Sequence, residues 1–113
     1  ANLFFSKGQY VKAIELYDKA IKENKEKYVF HFYKGASLQN LEKYGEAIPE
    51  YNMVIEHGDN LFIEEAEWYK SLCYIKLERV DEAKNQLNDI VKKGGFYAMD
   101  AKAVLRRLRY SFK

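Results

Sequence analysis

The sequence predicts an all-α chain built as a solenoid of short helical units. The first observation behind this is a pattern that occurs three times. Gly8-Gln9-Tyr10-Val11-Lys12-Ala13-Ile14 recurs as Lys43-Tyr44-Gly45-Glu46-Ala47-Ile48 and as Arg79-Val80-Asp81-Glu82-Ala83-Lys84, so that Ala13, Ala47 and Ala83 stand 34 and then 36 residues apart. A period of this size marks units too small to bury their own apolar face, which must stack on a neighbour. The second observation is composition. In 113 residues there is one Pro, 48% are apolar and 32% charged, which describes one globular, helix-tolerant domain and not a disordered chain. The third is apolar spacing at helical period along most of the chain.

Element by element, that spacing predicts the end of a helix over residues 1–7 and helices near 10–24, 28–41, 45–57, 61–78, 81–93 and 96–109. Gly58-Asp59-Asn60 ends one helix and offers a cap to the next, and Gly94-Gly95 ends another. Asp81 is the expected N-cap of the helix that follows it. Pro49 falls in or just past a first turn, where its missing N–H removes at most one bond, so a mild distortion is expected and not a break. Ala13, Ala47, Ala83, Gly35 and Ala101 are expected to be buried where helices cross. The units span about 1–27, 28–60 and 61–95. The helix over 96–109 carries Tyr97, Ala101, Val104, Leu105 and Leu108 on one face and closes the stack as a cap.

With the three alanines at place 20 of a 34-residue unit, small residues recur at place 8 (Ala1, Gly35, Ser71). Tyr10, Tyr44 and Val80 share place 17, Tyr17, Tyr51 and Leu87 share place 24, and Ala20, Val54 and Ile90 share place 27. This resembles the tetratricopeptide repeat family over nearly the whole chain. It departs from the family pattern at His31 and Glu67, where Trp is usual, and at Lys34 and Lys70, where Leu is usual; no Pro closes a unit. The resemblance implies a right-handed α-solenoid of antiparallel helix pairs. It also implies that the first helix of each pair lines a concave groove through places 2, 5, 9, 12 and 13. Carried over, these are Val29, Phe32, Ala36, Gln39 and Asn40, then Glu65, Trp68, Leu72, Ile75 and Lys76, with Asn2, Phe5 and Ser6 from the first unit. Phe32 and Trp68 are expected as a partly exposed aromatic pair suited to peptide capture; the competing reading packs Trp68 against the next helix as structure. Members of the family that clamp a chaperone tail use Lys and Asn at places 5 and 9. Here only Asn2 fits, so that activity is not expected.

Little else in the sequence offers chemistry. No glycine-rich phosphate loop is present, His31 and His57 stand 26 residues apart without a ligand motif, and no catalytic residue, metal or cofactor is expected. Glu64, Glu65 and Glu67 lie near a helix start, where they complement its dipole. Cys73 is alone, has no internal disulfide partner, and reads as a buried small hydrophobe or, less simply, a reactive thiol. Ten Tyr and seven Phe read as wedges between helices or as a ligand-stacking surface.

Charge is uneven. Residues 1–91 carry 12 Lys/Arg and 16 Asp/Glu, net −4, whereas residues 92–113 carry seven Lys/Arg and one Asp, net +6. Arg106, Arg107 and Arg109 form a basic patch, at least two of them expected to be exposed, which serves either as a solvated cap or as an attractant for acidic protein, nucleic acid or anionic lipid. No nucleic-acid-reading motif accompanies it. No run of 18 apolar residues exists, so no membrane span is expected.

The functional expectation is a non-enzymatic protein–protein interaction scaffold that holds a partner peptide or helix. The alternatives are an assembly module docking through its N-terminal end, with self-association, and binding of nucleic acid or an acidic partner through the basic helix. The chain begins inside a unit and lacks an initiator Met, which predicts a longer parent. The third unit and tail loosely resemble the end of bacterial exported or membrane-anchored arrays, implying a cytoplasmic or, for an exported parent, periplasmic setting.

Overall fold

Ser6 opens the first helix through a reciprocal cap: its backbone N–H donates to Gln9 Oε1 at 2.6 Å and the Gln9 N–H donates to Ser6 Oγ at 3.4 Å. The helix therefore begins at Lys7, not near residue 10; residues 1–5, which hold most of the helix end expected over 1–7 together with Asn2 and Phe5 of the expected groove, lie outside the described residues. The computed structural model describes residues 6–23, 27–58 and 61–111. Among them the regular structure is entirely helical: α1 (Lys7–Glu23), α2 (Lys27–Asn40), α3 (Tyr44–Glu56), α4 (Ile63–Lys76), α5 (Val80–Lys93) and α6 (Ala98–Ser111). Each helix makes its principal contacts with the next one in the chain.

Two turns repeat almost atom for atom. After α2, Lys43 N–H donates to Leu38 O at 2.8 Å with Glu42 at φ 62°; after α4, Arg79 N–H donates to Tyr74 O at 2.9 Å with Glu78 at φ 59°. Both are six-to-one helix closures with a left-handed residue, and neither supplies the glycine that such a site prefers. α5 does end on a left-handed glycine, Gly94 at φ 67°, as its sequence predicts. Asp81 is not a cap. α5 starts one residue earlier with Arg79 in the cap position, and the Arg79 guanidinium bonds Glu82 in the first turn. Similarly, Phe62 occupies the cap position of α4, while residues 59 and 60 lie outside the described residues. Pro49 is exposed within an unbroken α3. Its ring would press on the carbonyl of residue 45, and Gly45 has open space around it.

The apolar interior forms two clusters. One joins Phe32 and Leu38 of α2, Ala47, Ile48, Tyr51 and Val54 of α3, and Ala66 and Cys73 of α4. The other joins Ala83, Leu87 and Ile90 of α5 with Ala101 and Leu108 of α6. Tyr74 of α4 packs against both. The repeat explains the close contacts. A Cβ on Gly35 would lie 2.8 Å from the Tyr51 ring, so only glycine admits tyrosine at that crossing. At the corresponding places one unit later stand Ser71 and Leu87, both fully buried. Ala47, Ala83 and Ala101 are likewise fully buried, and Gly35 is buried. Ala13 differs: it is only half-buried, because among the described residues α1 has a principal neighbour on one side alone.

Candidate functional site

The ten residues expected to line a groove come from α2 and α4, which approach each other where the Phe32 and Tyr69 rings lie 6.0 Å apart. Helical spacing puts Val29, Ala36 and Asn40 along α2 and Glu65, Trp68, Leu72 and Lys76 along α4. Val29, Ala36, Gln39, Glu65, Trp68, Leu72 and Ile75 are half-buried, and Asn40 and Lys76 are exposed. Phe32 departs from expectation. It is 8% exposed, packed in the first core rather than open on a groove. The cause is Phe62 in the turn before α4, which stacks on Phe32 at 4.6 Å with planes 25° apart, while Tyr51 and Tyr69 approach to 6.0 Å.

Trp68 does not pair with Phe32. Its ring lies flat on Tyr97, with centroids 5.2 Å apart and planes 10° apart, against the second core. Beneath it, the buried Ser71 hydroxyl donates to Trp68 O at 2.6 Å, which satisfies the hydroxyl within its own helix. Gln39 is also committed: its Oε1 accepts the Tyr51 hydroxyl at 2.6 Å, so it serves the interior as much as any rim. Asn40 donates to Ala36 O at 2.8 Å. Burial raises the pKa of the Tyr51 hydroxyl and pushes the Cys73 thiol up to about 12, which leaves that thiol un-ionised near neutrality.

Three polar contacts escaped the sequence reading. His31 Nδ1 lies 2.7 Å from Glu50 Oε1, and Lys34 Nζ lies 2.7 Å from Asp18 Oδ1 and 3.5 Å from Glu50 Oε2. This chain of polar contacts crosses α1, α2 and α3. Burial alone would lower the pKa of the Lys34 ammonium, but its hydrogen bond to Asp18 and the Glu50 charge outweigh burial and raise it. The second contact is Glu67, buried on α4 and paired with Lys93 of α5. The third is Glu64, whose Oε1 accepts the Phe96 N–H at 2.8 Å; a Cβ on Gly95 would run into that carboxylate. Glu64 and Glu67 thus hold the end of α5 and the turn into α6, a role that helix dipoles do not describe. The repeat register contained a signal for the first: places 4 and 23, occupied by His31 and Glu50, face each other across one pair.

Arg106, Arg107 and Arg109 are all exposed on α6. Among the described residues no three His, Cys, Asp or Glu side chains converge to hold a metal, and no helix is long and apolar enough to cross a membrane. No family model, no curated protein and no solved structure matches the chain.

Proposed function

We propose that this chain is a short tetratricopeptide-like array, a right-handed solenoid of antiparallel helix pairs, that acts as a non-enzymatic protein–protein interaction scaffold. An extended or helical segment of a partner protein lies along the side shared by α2 and α4. The observation that carries the reading is matched exposure at matched places. Ala36 and Leu72 are both half-buried, and Asn40 and Lys76 are both exposed, while the neighbouring Gly35, Ser37, Ser71 and Cys73 are all buried. A surface that repeats with the unit, apolar at its centre and polar at one end, suits a ligand running across successive units. The repeated turns at Glu42 and Glu78, and the burial of Gly35 with Tyr51 and of Ser71 with Leu87 at matching places, support the array itself.

Trp68 is the anchor in this reading, because its stack on Tyr97 holds a large half-open ring in one orientation and so reduces the ordering needed on binding. Selection from a displayed random peptide library tests the proposal. The selected peptides are expected to lose roughly 2 kcal/mol of affinity to Trp68→Ala and Leu72→Lys while thermal melts remain cooperative. Peptides that bind both variants as well as the parent would place recognition elsewhere and defeat it.

A further inference from the structure

We propose that copies of this chain associate head to tail, the basic face of α6 on one copy docking into an acidic cleft between α1 and α3 on the next. This does not rest on the groove reading, since it uses different surfaces. The cleft is a cavity of about 290 Å³ between α1 and α3, with α2 also lining it. Val11 and Ile14 of α1 and Leu38 of α2 contribute apolar surface, and Glu15, Asp18, Glu46 and Glu50 face Lys34 and Lys43 around them. Four carboxylates against two ammoniums leave the cleft at −2. Lys34 is already held by Asp18 and Glu50. Glu15 and Glu46 are exposed and have no ion-pair partner among the described residues.

The occupant follows from the register of α6. Ala66 and Ala101 are both fully buried and stand 35 residues apart, as do Phe62 and Tyr97, the rings that cover Phe32 and Trp68. In that register Lys102, Arg106 and Arg109 correspond to Glu67, Ser71 and Tyr74 of α4, and to His31, Gly35 and Leu38 of α2. On α2 and α4 this is the side that meets the following helix: His31 bonds Glu50 of α3, Gly35 abuts Tyr51 of α3, and Glu67 pairs with Lys93 of α5. On α6 the same side carries three exposed cations spaced four and three residues apart, and no helix among the described residues covers it. Such a strip rejects an apolar helix and accepts an acidic surface with room for long side-chain stems.

A second copy supplies that surface. The negative charge of this chain lies in residues 1–91, net −4, and the positive charge in residues 92–113, net +6. The two surfaces belong to different ends of the helix order, so one contact leaves a cleft open on one copy and a strip open on the other. That is a heterologous contact, which propagates into a row or closes into a ring.

Sedimentation velocity of the chain over a concentration series tests this at about 0.01 M and about 0.15 M salt, between which the screening length shrinks from about 30 Å to about 8 Å. Association is expected at low salt and is expected to weaken about tenfold or more at the higher. Arg106→Glu with Arg109→Glu, and separately Glu15→Lys with Glu46→Lys, should each yield a monomer with an unchanged thermal melt, since all four side chains are exposed. An equimolar mixture of the two variants should associate again. A parent that stays monomeric at every concentration overturns the proposal, as does association indifferent to salt or a mixture that fails to recover it. A monomeric parent that binds duplex DNA through Arg106 and Arg109 also overturns it and reassigns the strip to nucleic acid.

Discussion

Trp68 lies on Tyr97 with ring centroids 5.2 Å apart and planes 10° apart, and one unit earlier Phe32 lies on Phe62 at 4.6 Å and 25°. The two contacts are the same joint. In each, an aromatic residue in the middle of one helix receives a ring from the turn that leads into the helix after next. The joint ties α2 to the turn before α4, and α4 to the turn before α6. A double-mutant cycle of Trp68→Leu and Tyr97→Leu is expected to give a coupling of about 0.5–1.5 kcal/mol in urea unfolding. A coupling near zero would reduce the stack to two separate burials.

Small residues at the crossings set the distance between helices, and their tolerance should follow their burial. Ala47 has no exposed surface, so Ala47→Leu is expected to cost about 1–3 kcal/mol through overpacking. Ala13 holds the same place in the first unit but is half-buried, so Ala13→Leu should cost well under half as much. Equal losses in thermal melts would contradict the packing difference between the two units.

The two left-handed turns offer a gain. Glu42 and Glu78 hold φ near 60°, where a Cβ crowds the following carbonyl. Replacing either with glycine is expected to stabilise the chain by about 0.5–1 kcal/mol, because relief of that crowding exceeds the added freedom of the unfolded chain. Both exchanges together should add, since the turns are separate. Chemical denaturation of the single and double variants measures this.

Alkaline pH should weaken the fold in a definite window. Burial holds the Cys73 thiol protonated up to about 12, against an ordinary value of 9.0, and raises the Tyr51 hydroxyl as well. Above about pH 9 the unfolded chain releases protons that the folded chain keeps, so stability is complete below that pH and is lost as pH rises toward 12. Each such group contributes a slope of up to about 1.4 kcal/mol per pH unit. Cys73→Ala should lower stability modestly at about pH 8 and flatten the decline between about pH 9 and about pH 10.5, as read by urea midpoints. A parent and variant that decline in parallel would remove Cys73 from the account.

The all-helical class was legible because a small residue at each crossing cannot be exchanged freely, and Ala47 and Ala83 mark those crossings one period apart. Phe32 was misjudged for a related reason. Phe32 does lie on α2, but whether its position opens to solvent depends on Phe62, thirty residues away in a turn whose path no periodicity describes. Glu64 and Glu67 show the same limit. Local chemistry assigns them to a helix start, whereas their partners are the Phe96 N–H and Lys93, 32 and 26 residues away in sequence. Ser6 and Gln9 are a different case: the Ser-x-x-Gln spacing was in plain view and names the start of α1.

Because Tyr74 packs into both clusters, α4 cannot detach from one without exposing part of the other. The chain is thereby divided by kinetic accessibility and not by boundaries in the sequence. Amide protons of α4 should exchange with solvent only through openings that approach global unfolding. Those of α1 and α6, which have a principal neighbour on one side alone among the described residues, should escape through small local openings long before. A chain of nearly equal helices would then show a graded protection profile, highest at its centre.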